Sequence, residues 1–122
     1  MGEEFNASQP IYQQIVARIC RQIVREEIKP GEKLPSVREM AIQSGVNPNT
    51  VQRVYSELER MKIIEARRGQ GSFVTENMEE LERLRVQLKV EYIGDFVRNM
   101  QEMGFSSAEI VEGILNYLGL EK

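Results

Sequence analysis

The chain has 122 residues, of which 41% are hydrophobic and 29% charged. This is the balance of a soluble globular domain with at most a small extension, and it excludes fibrous and disordered classes. It contains no histidine and one cysteine, which removes the commonest general base, the Cys-His and zinc chemistries, and any internal disulfide. The net charge of −3 hides an asymmetry: residues 1–75 carry net +2 and residues 76–122 net −5, so two jobs are expected on one chain.

The opening "MGEEFNASQP" lacks the basic and apolar regions of a secretory signal. Asn6 stands where an acylation signal after Met-Gly wants Ser or Thr. No apolar run approaches the ~20 residues that span a bilayer. A cytoplasmic protein is expected, with no membrane partner.

After Pro10, a favoured first-turn residue, Ile11, Ile15, Ile19 and Ile23 recur every four positions. They predict a helix from Ile11 to about Glu27, with Cys20 as buried filler. "KPGEKLPS" breaks it, leaving room for a short strand at Lys33-Leu34. Ser36 and Glu39 have the spacing of a capping box and open a second helix that stops at Gly45. Asn47 as N-cap and Pro48 as first residue open a third, with Val51, Val54, Tyr55, Leu58 and Met61 inward. Tyr12 and Tyr55 read as core aromatics rather than stacking platforms. "KIIEARR" and "SFVT" flank "GQG" and predict a β-hairpin.

Beyond Thr75 a long helix is predicted from about Met78 to Met103. One apolar stripe runs through Leu81, Leu84, Leu88, Tyr92, Phe96, Met100 and Met103, and a second through Val86, Val90, Ile93 and Val97. Gly94 interrupts its propensity and Gly104 ends it. Ser106 and Glu109 form another capping box, with Phe105 and Ile110 spaced as a hydrophobic staple, before a last helix to about Leu118.

Two helices joined tightly, followed by a glycine-tipped hairpin, give a mainly α fold with a small β wing: a winged helix-turn-helix with a two-helix C-terminal extension. The third helix, about 48–61, carries Asn49, Gln52 and Arg53 outward. Amides can pair with adenine and arginine with guanine in the major groove, where carboxylates would repel phosphate. Ser36, Arg38, Asn47 and Thr50 are candidate contacts around it, and Arg67, Arg68, Gly69, Gln70 and Gly71 make the candidate wing, set on an adjacent groove or the backbone. Each signal alone fits a solvated surface; their order is what points to double-stranded DNA. A winged-helix module that binds protein and no DNA is the competing reading. No base, nucleophile or metal cluster is identifiable, so no enzyme, cofactor or metal site is expected.

"IYQQI", "IKPGEKLPSVREMA", "GVNPNTVQRVYSELERMKIIEARRGQGSFV" resemble the N-terminal winged-helix domain of the GntR family of bacterial transcription regulators. The short tail is similar to the YtrA subfamily, and the resemblance covers residues 10–75. It implies a regulator, a repressor by expectation, that binds an inverted-repeat (palindromic) operator as a homodimer through its helical tail. Many relatives place a DNA-contacting arginine where this chain has Pro48, and Gln52 also replaces a common arginine, which shifts the expected contacts to Asn49, Gln52 and Arg53. A DNA-binding domain, 1–75, and a dimerisation domain, 76–122, are expected. Leu81, Leu84, Leu88, Tyr92, Phe96 and Met100 are the candidate dimer residues, unless both tail helices fold back on their own winged domain. Forty-seven residues are too few to enclose a conventional effector pocket on their own, and no effector is named.

Overall fold

The computed structural model describes residues 9–120. The readings placed on the first eight residues, among them Asn6, lie outside the described residues.

Helix α1 (Ile11–Val24) buries Ile15, Ile19, Cys20 and Ile23, the predicted stripe. It stops short of Glu27 because Glu26 takes a left-handed φ of 64°, and the N–H groups of Glu27 and Ile28 turn back onto the Gln22 carbonyl. Arg25, Glu26 and Glu27 supply no apolar side chain that would reward another helical turn. Helix α2 (Val37–Ser44) carries the predicted capping box in full: Ser36 Oγ accepts from Glu39 N, and Glu39 Oε1 accepts from Ser36 N at 2.9 Å. Gly45 closes it at φ 68°, a left-handed position that suits glycine. Helix α3 (Pro48–Arg60) follows at once, capped by the Asn47 side chain, and it buries Val51, Val54, Tyr55 and Leu58. Met61 sits just past its end and is half-buried.

Strands β1 (Ile64–Arg67) and β2 (Gly71–Val74) pair antiparallel, with Ile64 opposite Val74 and Arg67 opposite Gly71. The segment before α2 lies along the other side of β2. Leu34 N donates to Ser72 O at 2.8 Å, Val74 N donates to Glu32 O at 2.9 Å, and Lys33 bridges Phe73. The strand expected at Lys33-Leu34 is therefore one isolated bridge on the wing. α3 packs on both α1 and α2 and continues into β1, and the core they enclose includes Leu34, Ile63 and Val74.

Helix α4 (Met78–Glu102) starts at Asn77, whose Oδ1 accepts from Glu79 N at 3.0 Å. Helix α5 (Ser107–Leu118) opens on the second capping box, Ser106 with Glu109. The architecture is thus five helices and one two-stranded hairpin among the described residues. The chain divides into two compact units after Arg85, inside α4, so the first turns of that helix belong to the first unit.

Candidate nucleic-acid interface

The turn between α2 and α3 fixes the face in question. Val46 N donates to Ala41 O at 3.0 Å, so the chain folds back on α2 before Asn47 starts α3. Asn47 Oδ1 accepts from Asn49 N at 2.7 Å, which commits that oxygen to the helix start. With Val51, Val54, Tyr55 and Leu58 turned inward, Asn49, Gln52, Arg53 and Ser56 are exposed together, and Thr50 is half-buried. The hydrophobic alternation of α3 is what forces those polar groups outward.

Ser36 is exposed, and its Oγ is engaged as an acceptor by the cap, leaving its hydroxyl hydrogen to donate elsewhere. Its backbone N–H, bonded to the Glu39 carboxylate, is the main reason that carboxyl sits below its ordinary range. Arg38 projects from the first turn of α2, exposed, with no ion pair among the described residues. Tyr55 ties the two helices to the approach segment: its hydroxyl donates to Pro35 O at 2.6 Å, immediately before the Ser36 cap. Burial pushes the Tyr55 hydroxyl up to about 12, against the opposing field of Arg18. Arg18, half-buried on α1, donates to Ser44 Oγ at 3.1 Å and so holds α1 to the end of α2, and burial lowers its own pKa.

The wing brings Arg67, Arg68, Gly69, Gln70 and Gly71 to one tip, closed by Gln70 N donating to Arg67 O at 2.8 Å. The two arginines differ. Arg67 lies over the Phe73 ring at 4.1 Å and within 3.9 Å of Glu76 Oε1, whereas Arg68 is exposed. Gly71 has φ 110°, and a Cβ there would stand 3.1 Å from Lys33 Cε. Lys33 therefore lies along the tip as a further cation. Residue types alone do not place it among the candidate contacts, because only the bridge to Phe73 brings it to the tip. Tyr12 departs from the expectation of a core aromatic: it is half-buried, and the Arg53 guanidinium sits over its ring at 3.8 Å. Among the described residues no group of three or more His, Cys, Asp or Glu is placed to hold a metal, and no helix is long and apolar enough to cross a membrane.

Helices α4 and α5 present a different surface. Of the six residues read as a dimer stripe, Leu84 is covered within the chain at 3% exposure, and Leu81, Leu88 and Met100 are half-buried. Tyr92 and Phe96 are 53% and 42% exposed. Val86, Val90 and Ile93 on α4 and Val111, Leu115 and Leu118 on α5 are exposed as well.

Comparison with known proteins places this geometry. The uncharacterized HTH-type transcriptional regulator YhcF of Bacillus subtilis (strain 168) is 50% identical over 117 residues, 96% of this chain and 97% of that one. The HTH-type transcriptional repressor YtrA of the same organism is 49% identical over 71 residues, 58% of this chain and 55% of its own. A GntR family transcriptional regulator from Listeria monocytogenes has a structure that superposes with a TM-score of 0.85 at 38% identity, covering 92% of this chain and 98% of that one. The DNA-binding domain of AraR, solved in complex with operator ORX1, superposes at 0.54 with 25% identity over 62% of this chain and 92% of that one. The family model described as bacterial regulatory proteins, gntR family, matches residues 11–74, which hold α1, α2, α3 and the wing, and the chain belongs to that family.

Proposed function

We propose that this DNA-binding regulator acts in the cytoplasm as a repressor, binding an inverted-repeat operator as a homodimer with α3 in the major groove and the 67–73 wing on the adjacent groove or backbone. The observation that carries the reading is the outward face of α3, where Asn49, Gln52 and Ser56 stand exposed beside Arg53 with no carboxylate among them. Amides and a guanidinium suit base edges in a field of phosphate, and the absence of acid there removes the repulsion. Arg38 and Arg68, exposed at either side of α3's connections, supply phosphate contacts; Ser36, Thr50 and the wing backbone at Gly69 and Gly71 add neutral donors. Residues 1–75 do the binding in this reading and residues 76–122 the pairing. An exposed apolar face on α4 and α5, spread over Val90, Ile93, Phe96 and Leu115, favours a second copy as its cover, and two-fold pairing would set two α3 helices one DNA turn apart.

Selection of bound sequences from random duplexes tests the reading, and a palindromic consensus is the expected result. Binding should fall steeply between about 50 and 200 mM salt as counterions compete for the phosphates. No mobility shift at low salt would instead favour a module that binds protein and no DNA. Within the bound state, Arg38→Ala should weaken specific and random DNA alike, whereas Asn49→Ala or Gln52→Ala should chiefly relax sequence choice.

A further inference from the structure

The contact between Tyr12 and Arg53 joins the N-terminal turn of α1 to the exposed face of α3. At 3.8 Å from the ring centroid the guanidinium rests on the π-face, and its N–H donors remain at its edges for another acceptor. The carboxylate best placed to take those donors is Glu57, one turn further along α3. Both Glu57 oxygens are instead held by Arg60, through Nε at 3.0 Å and through Nη2. That hydrogen bonding is the main cause of the lowered Glu57 carboxyl. Arg53 thus has a platform beneath it and forms no ion pair among the described residues, its charge acting on Glu57 only as a minor field.

We propose that Tyr12 is a positioning residue for DNA binding: its ring holds the Arg53 guanidinium extended from α3, donors outward, for a backbone phosphate or a guanine edge beside the groove-facing amides. The inference rests on the DNA-binding reading above and adds to it a residue from outside the helix-turn-helix. Preorganisation is the physical gain. A long, rotamer-rich side chain held in its bound conformation loses less entropy on contact than one that must be ordered from solution. Without the ring, Arg53 is free to swing toward Glu57 and compete with Arg60 for its carboxylate, which neutralises the charge that DNA would meet.

The test is a double-mutant cycle with Tyr12→Leu, Tyr12→Phe and Arg53→Ala on the full chain, read by anisotropy of a labelled random-sequence duplex at about 50 mM salt. Leucine keeps the apolar contact of α1 with α3 and favours helix, so folding is retained, and circular dichroism checks it. Arg53→Ala should weaken binding roughly five- to tenfold, and Tyr12→Leu about threefold. Tyr12→Phe should leave it unchanged, and Tyr12→Leu should add nothing in the Arg53→Ala background. In the free protein, the upfield ring-current shift of the Arg53 δ-protons should persist in Tyr12→Phe and vanish in Tyr12→Leu. An equal loss from Tyr12→Leu with or without Arg53 means that the ring only packs α1 on α3, and overturns the proposal. So does wild-type affinity in Tyr12→Leu. If the wild-type chain binds no duplex, the DNA reading itself fails, an outcome distinct from binding with an additive cycle.

Discussion

Replacing Tyr55 by Phe removes one hydroxyl and leaves the ring, so it isolates the hydrogen bond that fastens α3 to the segment leading into α2. The bond is short, 2.6 Å to Pro35 O, and Tyr55 is buried at 8% exposure. Pro35 is itself half-buried, so water can reach its carbonyl only in part, and the loss should be about 1 to 2 kcal/mol at neutral pH. In a domain of this size that corresponds to a fall in Tm of roughly 4–10 °C. The same burial makes the pair pH-dependent. The folded hydroxyl titrates at about 12 against 10.0 for the free side chain, so its contribution is complete below pH 10 and drains away as pH rises toward 12. Allowing for partial solvation of the ring, wild-type should lose on the order of 1 kcal/mol by pH 11 that the Phe variant does not lose. Urea unfolding of both proteins at pH 8, 10 and 11 measures this, because other titrating groups cancel in the difference. A gap that stays constant from pH 8 to 11 refutes the burial-raised titration, and one that is absent at pH 8 refutes the assigned bond.

Ser36→Ala removes the cap of α2 and should cost about 1 kcal/mol by chemical unfolding, with a smaller loss for Glu39→Gln, since a neutral amide still accepts from the Ser36 N–H. Gly71→Ala forces a Cβ into a left-handed position 3.1 Å from Lys33 Cε, and should lower stability by about 1 kcal/mol or more while disturbing DNA binding through the wing. Gly94→Ala should do the reverse, adding about 0.5–1 kcal/mol to α4, because the new methyl meets only the flexible end of Arg98. Light scattering should report a particle of two 14.1 kDa chains for wild-type and one chain for Phe96→Asp; a wild-type monomer at micromolar concentration would remove the dimer from the proposed function.

Local chemistry made much of this fold legible. Both capping boxes, the Asn47-Pro48 start of α3 and the glycine-tipped hairpin rest on interactions within a few residues of one another, where spacing alone fixes the partners. The end of α1 was less legible, since Glu26 reaches a left-handed conformation that its side chain does not advertise. Lys33 was missed because its place beside Gly71 depends on a pairing across the chain with Phe73.

The arginines carry the same lesson into function. Counted along the chain they look equivalent, and a basic first half says only that phosphate is tolerated there. Tertiary partners separate them. Arg60 is paired with Glu57, Arg18 bonds Ser44, and Arg67 is shared between Phe73 and Glu76. Arg38 and Arg68 stand exposed, and Arg53 stands on a ring with its donors outward. An arginine already beside a carboxylate at the surface gains less from a phosphate, by about the 0–1 kcal/mol that such an exposed pair is worth. The charge offered to DNA is therefore not spread evenly over the eleven cations of residues 1–75; it is concentrated at these three guanidiniums, with Lys33 beside the wing tip. Arg67→Ala should consequently change the salt slope less than Arg38→Ala, whose contact has no internal competitor and should lower the slope by about 0.9. Equal slopes for the two variants would mean that the Glu76 contact does not restrain Arg67 when DNA is near.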